Sequence, residues 1–212
     1  MIFKSIKFNQ NDAFESERAI ERAVEILRVG GLVIHPTDTC YGIAADFFNE
    51  KAIKNVYTFK GRDYQKPLFI IVKDMKEFNE YGMHLEIIEK IINKYPNNQF
   101  TFITKKKKSV PPFLNIGYGT IGIQIPKIDF SLRLLKEYGN PLIGTSANFS
   151  GEKECYNTDG LKNLTEKNFD FPGLILDAGP LIKRPVSTVI EICENGEIKI
   201  IRQGELENFS ID

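Results

Sequence analysis

The hydrophobic positions of the chain follow a helical period in four segments. Within residues 16–29 the apolar side chains recur every three to four positions, and two glycines follow, which predicts an amphipathic helix with a glycine C-terminus. Asn49, a residue type common at N-caps, precedes a second segment of this kind, which we expect to end just before Lys60. The same spacing predicts helices over residues 85–95 and 132–138.

Short apolar runs between these segments have the length and composition of β-strands. The last two of them flank Asn195-Gly196, a dipeptide typical of tight hairpin turns. Because helix and strand patterns interleave and no linker-like stretch divides them, the chain predicts one α/β domain over residues 1–212, with a core of about 15–204 and a twisted mixed β-sheet flanked by helices. The predicted strands are 32–35, 68–72, 100–104, 121–125, 142–143, 174–176, 188–193 and 198–202.

Composition and charge exclude several classes of protein. The 212 residues contain 28 Lys and Arg against 28 Asp and Glu, a balance that disfavours binding to nucleic acid mainly by phosphate neutralisation. No apolar run approaches the roughly 20 residues of a membrane helix, and the first residues lack an apolar signal core. The three cysteines are scattered and only two histidines are present, so a standard Cys/His zinc site is excluded. We therefore expect a cytoplasmic protein without a membrane partner.

Common nucleotide-binding and hydrolase motifs do not explain the sequence. Residues 117–122 match GxGxxG in letters, but a loop precedes them and a predicted strand follows, whereas the dinucleotide motif requires a strand and then a helix. The chain contains neither a GxxxxGK[ST] phosphate loop nor a GxSxG nucleophile turn. A site must therefore be sought elsewhere.

Polar segments follow several of the predicted strands, and cations lie among them. Ligand sites in α/β sheets form where loops leave strand ends, so we expect these segments to converge on one open cleft. Taken singly, each has an ordinary structural explanation, since Ser, Thr and Asn form turns and caps, and Lys and Arg stabilise helix C-termini. The segments are 36–42, 60–62 with Lys66, 145–151, 187–188 and Arg202.

Seven stretches of the chain carry a resemblance to a known family. In order they read GGLVIHPTDTCYGIAAD, FKGRDYQKPLFIIV, TIGIQIP, TSANFSG, LILDAGP, VSTVIEI and IIRQG. From Gly31 to Gly204 the sequence resembles the YrdC/Sua5/YciO family in its short, single-domain form. Characterised members of that family join L-threonine, bicarbonate and ATP into threonylcarbamoyl-AMP and release pyrophosphate. The resemblance thus implies a nucleotidyltransferase that acts in the t6A37 modification of tRNA.

The resemblance also implies roles for individual residues. Lys60 and Arg62 match the family's Lys-x-Arg pair, which resembles a phosphate and carbonate clamp on a cleft surface, so their replacement by Ala should leave the fold intact. The catalytic set is then Lys60, Arg62, Ser146 and Asn148, the further ATP contacts are Lys66, Thr120 and Arg202, and the threonine contacts are Thr39, Ser187 and Gln124. The implied cofactor is Mg²⁺ that ATP carries on its phosphates, without ligands from the protein.

The same resemblance implies partners. They are the substrates ATP, L-threonine and bicarbonate and a downstream tRNA threonylcarbamoyl transferase, with tRNA itself bound weakly or indirectly. Because both reactants are anionic, the cleft is expected to be cationic.

Three departures from the family pattern leave alternatives open. Gln124 stands where many relatives have an arginine that resembles a partner for the threonine carboxylate, and Lys127 or Lys183 could replace its charge. Residues 95–101 differ from the common synthase spelling, and Val186 stands where Glu is usual. The alternatives are a YciO-like relative that acts on another amine or carbamoyl substrate, and an RNA-binding or ribosome-maturation factor.

Overall fold

Helices and strands alternate along most of the computed structural model, which describes residues 3–161, 165, 169–204, 206 and 209–210. The described strands are Lys4–Lys7 (β1), Leu32–Pro36 (β2), Tyr41–Asp46 (β3), Phe69–Ile71 (β4), Phe100–Lys105 (β5), Thr120–Gln124 (β6), Leu142–Ser146 (β7), Gly173–Asp177 (β8), Thr188–Ile192 (β9) and Ile198–Arg202 (β10). The described α-helices are Ala13–Arg28 (α1), Glu50–Lys60 (α2), Met75–Tyr81 (α3), Leu85–Lys94 (α4) and Asp129–Tyr138 (α5).

The strands form one mixed sheet in the order β1-β8-β2-β3-β7-β4-β6-β5-β9-β10. Neighbours β4 and β6 run parallel, whereas β3 and β7 are antiparallel to each other. Helices α2, α3 and α4 bury their apolar sides in one core on one face of the sheet. Helices α1 and α5 form a second core on the other face. The α/β class with a mixed sheet flanked by helices is therefore confirmed.

The face that α1 and α5 occupy stays accessible over its middle strands. Side chains alternate between the two faces of a strand, so Thr120, Gly122 and Gln124 of β6 share one face. All three are half-buried, whereas Ile121 and Ile123 between them are buried in the core under α3 and α4. The sheet thus offers a floor for a ligand beside α5.

Most elements lie where the hydrophobic pattern predicts them, with informative exceptions. Asn49 caps α2 as predicted, and its side chain accepts a hydrogen bond of 3.1 Å from the backbone N–H of Ala52. The helix runs one residue further than expected, since Lys60 is its last residue and Gly61 is the C-cap, with a φ of 56° that suits glycine. The predicted hairpin of β9 and β10 is also confirmed.

Three elements were missed, namely β1, β3 and α3, and no residue of the four-residue strand β1 is buried. Strand β3 is buried on both faces over most of its length, so it lacks the alternation that marks a strand in sequence. Helix α3 has seven residues, of which only three are buried, too few to establish a period. No helix among the described residues has the length and apolar content that a membrane span requires.

The cap of α2 gives a prediction on stability. Replacing Asn49 by Ala should lower the free energy of unfolding by about 1 kcal/mol, because the N–H groups of the first turn lose their acceptor. Asn49→Asp keeps an acceptor oxygen and should unfold close to the wild type. Urea denaturation of the three proteins measures the difference, and equal midpoints for wild type and Asn49→Ala would refute the capping role.

Candidate active site

A cavity of about 250 Å³ lies on the accessible face of the sheet, across its central strands. Gly144 belongs to its floor, and a Cβ atom there would meet the ring of Phe69 at 2.6 Å, so the close packing of this floor requires glycine. Six of the ten residues that the sequence assigned to the site line this cavity. They are Thr39, Arg62, Gln124, Ser146, Ser187 and Arg202.

Lys60 lies behind the wall of the cavity, only 3% exposed. Its ammonium donates to the carbonyl oxygen of Ser146, to the carbonyl oxygen of Asn148 at 2.9 Å and to Oδ1 of Asn148 at 3.2 Å. Burial and the nearby Arg62 lower the pKa of Lys60 to about 8, so the group still carries its charge at pH 7. The expectation that Lys60 lies on a cleft surface was wrong, because the segment after β7 surrounds its side chain.

Ser146 and Asn148 extend this network to the cavity. The Ser146 hydroxyl donates to Oδ1 of Asn148, and the Asn148 amide donates to the carbonyl oxygen of Glu152 at 2.6 Å. Lys60 thus fixes the backbone at the end of β7, and Ser146 lines the cavity from there. The predicted catalytic residues Lys60, Ser146 and Asn148 are therefore in mutual contact.

Arg62 follows the turn at Gly61 and reaches the cavity wall. Its Nη2 donates to the carbonyl oxygen of Pro67 at 3.0 Å. Its Nε is buried and has no hydrogen-bond partner among the described residues. A buried N–H without an acceptor is costly, and an anionic oxygen bound in the cavity would satisfy it.

The opposite side of the cavity contains a chain of side-chain hydrogen bonds. Arg202 donates through Nη2 to the Ser187 hydroxyl at 3.0 Å, and it also binds the Ser187 carbonyl oxygen. The Ser187 hydroxyl lies 3.0 Å from that of Thr101, which in turn donates to Oε1 of Gln124 at 3.0 Å. Three predicted site residues are thus connected through Thr101, which sequence analysis did not assign to the site.

The turn after β2 brings Thr39 to the cavity. The Thr37 hydroxyl stabilises this turn by donating to the carbonyl oxygen of Cys40 at 2.6 Å. Asp38 accepts from the backbone N–H of Lys127 at 3.1 Å, while its burial raises the pKa of its carboxyl above the ordinary value. Asp38 therefore fastens the turn to the segment before α5.

Neutral groups line part of the cavity as well. Burial lowers the pKa of His35 to about 4 and raises the pKa of the Cys40 thiol to about 11, so neither carries charge at pH 7. The charged lining residues are Arg62 and Arg202 against Asp38 and Glu154. Sequence analysis did not indicate Glu154 or His35 as site residues, whereas Asp38 belongs to the polar segment 36–42 that it did indicate.

Besides Lys60 and Asn148, four residues with an expected role do not line the cavity. Lys66 is exposed on the loop before β4, and Thr120 lies at the far end of β6, roughly 13 Å from Gln124 along the strand. The ammonium of Lys127 binds the carbonyl oxygens of Pro96 and Asn98 instead. Lys183 stacks over the ring of Tyr156, with its Nζ 5.6 Å from the ring centre.

Comparison with known sequences finds relatives that span most of the chain. Residues 25–204 match the Sua5/YciO/YrdC family model, whose description reads "telomere recombination". A protein of Methanocaldococcus jannaschii, provisionally named a threonylcarbamoyl-AMP synthase, is 35% identical over 95% of this chain and 93% of its own length. The threonylcarbamoyl-AMP synthase of Bos taurus is 31% identical over 88% of this chain and 68% of its own length.

Solved structures share the fold at low sequence identity. Sua5 of P. abyssi, crystallised with L-threonine, has a TM-score of 0.81 at 24% identity, and the match covers 97% of this chain but only 58% of that one. YciO of E. coli has a TM-score of 0.80 at 23% identity, with 97% and 96% coverage. Family model, relatives and fold agree, and the chain belongs to the Sua5/YciO/YrdC family.

Proposed function

We propose that this protein is an L-threonylcarbamoyladenylate synthase, which forms threonylcarbamoyl-AMP and pyrophosphate from L-threonine, bicarbonate and ATP. The ammonium group of threonine and bicarbonate give a carbamate, with loss of water and a proton. A carbamate oxygen then attacks the α-phosphorus of ATP, and the bond from that phosphorus to pyrophosphate breaks. The observation that carries the proposal is the meeting of Arg62, Ser146, Ser187 and Arg202 at one cavity in a chain whose relatives bear this enzyme's name.

The residues of the cavity divide into a nucleotide part and an amino-acid part. Arg62 presents a buried N–H without an acceptor, which suits a phosphate oxygen, and Ser146 lies beside it. Arg202 adds a second cation to the phosphate contacts. Thr39, Ser187 and Gln124 supply hydroxyl and amide groups that suit the hydroxyl and carboxylate of threonine. Holding two anions together is the main task of such a phosphoryl transfer.

The open part of the sheet face accommodates the remainder of ATP. Thr120 shares the face of β6 with Gln124 but lies outside the cavity, as does Lys66 on the loop before β4. We assign both residues to contacts with the ends of a nucleotide that is longer than the cavity. Mg²⁺ would arrive on the phosphates, because the described residues contain no cluster of three acidic, His or Cys side chains that could hold a metal ion.

The product requires a second enzyme. Threonylcarbamoyl-AMP is a reactive mixed anhydride, so it would pass to a tRNA threonylcarbamoyl transferase, and tRNA contact with this chain is weak or indirect. A reducing cytoplasm suits the three cysteines, all of which are free thiols.

Gln124 favours a second candidate, a YciO-like enzyme for another amine. Its amide carries no charge, and neither Lys127 nor Lys183 supplies one to the cavity. A cavity without a cation at this position discriminates less strongly between amines that carry a carboxylate and amines that do not.

The direct test is ATP turnover with defined substrates. With bicarbonate present, we expect pyrophosphate release that depends on L-threonine, and a product with the mass of threonylcarbamoyl-AMP. Parallel reactions with L-serine and without amino acid separate the two candidates. Equal rates in all three reactions would exclude threonine as the substrate.

Arg62 gives a second prediction. Arg62→Ala should reduce kcat/KM for ATP by about 10²–10³-fold, because a positioned donor to the transferring phosphate is lost. Arg22→Ala is the matched control, since Arg22 is an exposed arginine of α1 that pairs with Glu25. Both variants should melt within a few degrees of the wild type. Turnover near the wild-type value in Arg62→Ala would remove Arg62 from the site.

The buried ammonium of Lys60 gives a prediction on pH. Its pKa is about 8 in the folded state against an ordinary value of 10.5, so between these values the unfolded chain binds more protons than the folded one. The contribution of Lys60 to stability therefore rises with pH through this window, by about 1–3 kcal/mol, and falls as pH drops towards 8.

Urea unfolding of wild type and Lys60→Met at pH 7.5, 9 and 10.5 measures this contribution. The stability advantage of the wild type over Lys60→Met should grow across the series. Lys60→Met should also lose turnover at pH 7.5, since the oxygens of Ser146 and Asn148 lose their donor. A constant or shrinking advantage would show that the pKa of Lys60 is not lowered.

A further inference from the structure

Hydrogen bonds connect Arg202 to Gln124 through Ser187 and Thr101. The hydroxyls of this chain can donate in only one direction, from Ser187 to Thr101 and from Thr101 to Gln124. Arginine has donors and no acceptor, so the Ser187 hydroxyl must accept from Arg202. The proton of that hydroxyl then needs an acceptor, and the Thr101 oxygen lies 3.0 Å away. The proton of Thr101 in turn goes to Oε1 of Gln124, 3.0 Å away. Each member therefore fixes the orientation of the next.

The opposite orientation of the Gln124 amide would break this order. If its NH₂ group faced Thr101, Thr101 would accept from Gln124 and donate to Ser187. The Ser187 hydroxyl would then have Arg202, which only donates, as its remaining neighbour in the chain. Thr101 and Ser187 are both nearly inaccessible, so a lost hydrogen bond there costs stability.

This order leaves the NH₂ group of Gln124 for the ligand. Gln124 lines the cavity, and its Nε2 has no hydrogen-bond partner among the described residues. The amide therefore presents two N–H donors to the cavity. An amide that rotated freely would present its oxygen there as often as its nitrogen. A carboxylate accepts from such donors, whereas a carbonyl oxygen of Gln124 would repel it.

We infer that Thr101 is a positioning residue, whose hydroxyl, oriented by Arg202 through Ser187, locks the Gln124 amide with its N–H groups towards the carboxylate of the amino-acid substrate. The inference rests on the proposed function for the identity of that substrate. It assigns Thr101 no contact with the reacting atoms. It also explains how an uncharged residue can serve a carboxylate, since the chain that orients it begins at a permanent cation.

Replacing Thr101 by Val tests the inference, because Val keeps the shape of Thr and removes the hydroxyl. We expect the KM for L-threonine to rise roughly five- to twentyfold while kcat stays within about twofold, and Thr101→Ser to restore the wild-type KM. Thr104→Val is the matched control on the same strand, since the buried Thr104 hydroxyl binds Met83, not the chain to Gln124. Thr104→Val should change stability and leave the KM for L-threonine unaltered.

A double-mutant cycle with Gln124→Met distinguishes positioning from a general structural effect. If Thr101 acts through Gln124, Thr101→Val should raise the KM no further in the Gln124→Met background. Effects of the two substitutions that multiply would overturn the inference. So would a Thr101→Val KM equal to that of Thr104→Val.

A spectroscopic measurement keeps the inference separate from the proposed function. The side-chain NH₂ resonance of Gln124, assigned by its loss in Gln124→Met, should shift in Thr101→Val and remain in place in Thr104→Val. If wild-type protein releases no pyrophosphate with L-threonine, the proposed function fails, and this resonance still decides the role of Thr101. An unchanged resonance in Thr101→Val overturns the inference even where the enzyme is active.

Discussion

The charged contact between Lys60 and the end of β7 is the constraint on which the site depends. One ammonium, almost without access to solvent, binds oxygens of Ser146 and Asn148 and so joins the last turn of α2 to the sheet. Removing the charge would leave these oxygens without a donor in a buried region, which costs more than the contact itself contributes. Gly61, in its left-handed conformation, then turns the chain so that Arg62 reaches the cavity.

The charged residues that line the cavity are two arginines and two acids, and the structure commits them to different contacts. Asp38 lines the cavity, but its carboxylate accepts backbone N–H groups before α5 and is committed to holding a turn. His35 and Cys40 are neutral because burial disfavours their charged forms. Arg62 and Arg202 are the cations of the cavity wall, beside the carboxylate of Glu154, and partial desolvation strengthens the attraction of each arginine for an anion.

The sheet sets the shape of the site. Helices α1 and α5 cover only part of one face, so β4 and β6 offer an accessible floor beside the N-terminus of α5. Gln124 of β6 lines the cavity, and Thr120 lies on the same face of that strand but outside the cavity.

The sequence by itself determined α2 with its Asn49 cap, the hairpin of β9 and β10, and the α/β class, because these follow from contacts between residues close in the chain. The resemblance to a family identified the expected site residues, but it did not show which groups surround each of them. Only the tertiary structure decided that Lys60 is enclosed, that Lys127 binds backbone oxygens elsewhere, and that Thr101 connects Ser187 with Gln124. The reason is physical, since Lys60 and Ser146 are 86 residues apart, and periodicity tells which side of an element is buried but not which partner it meets there.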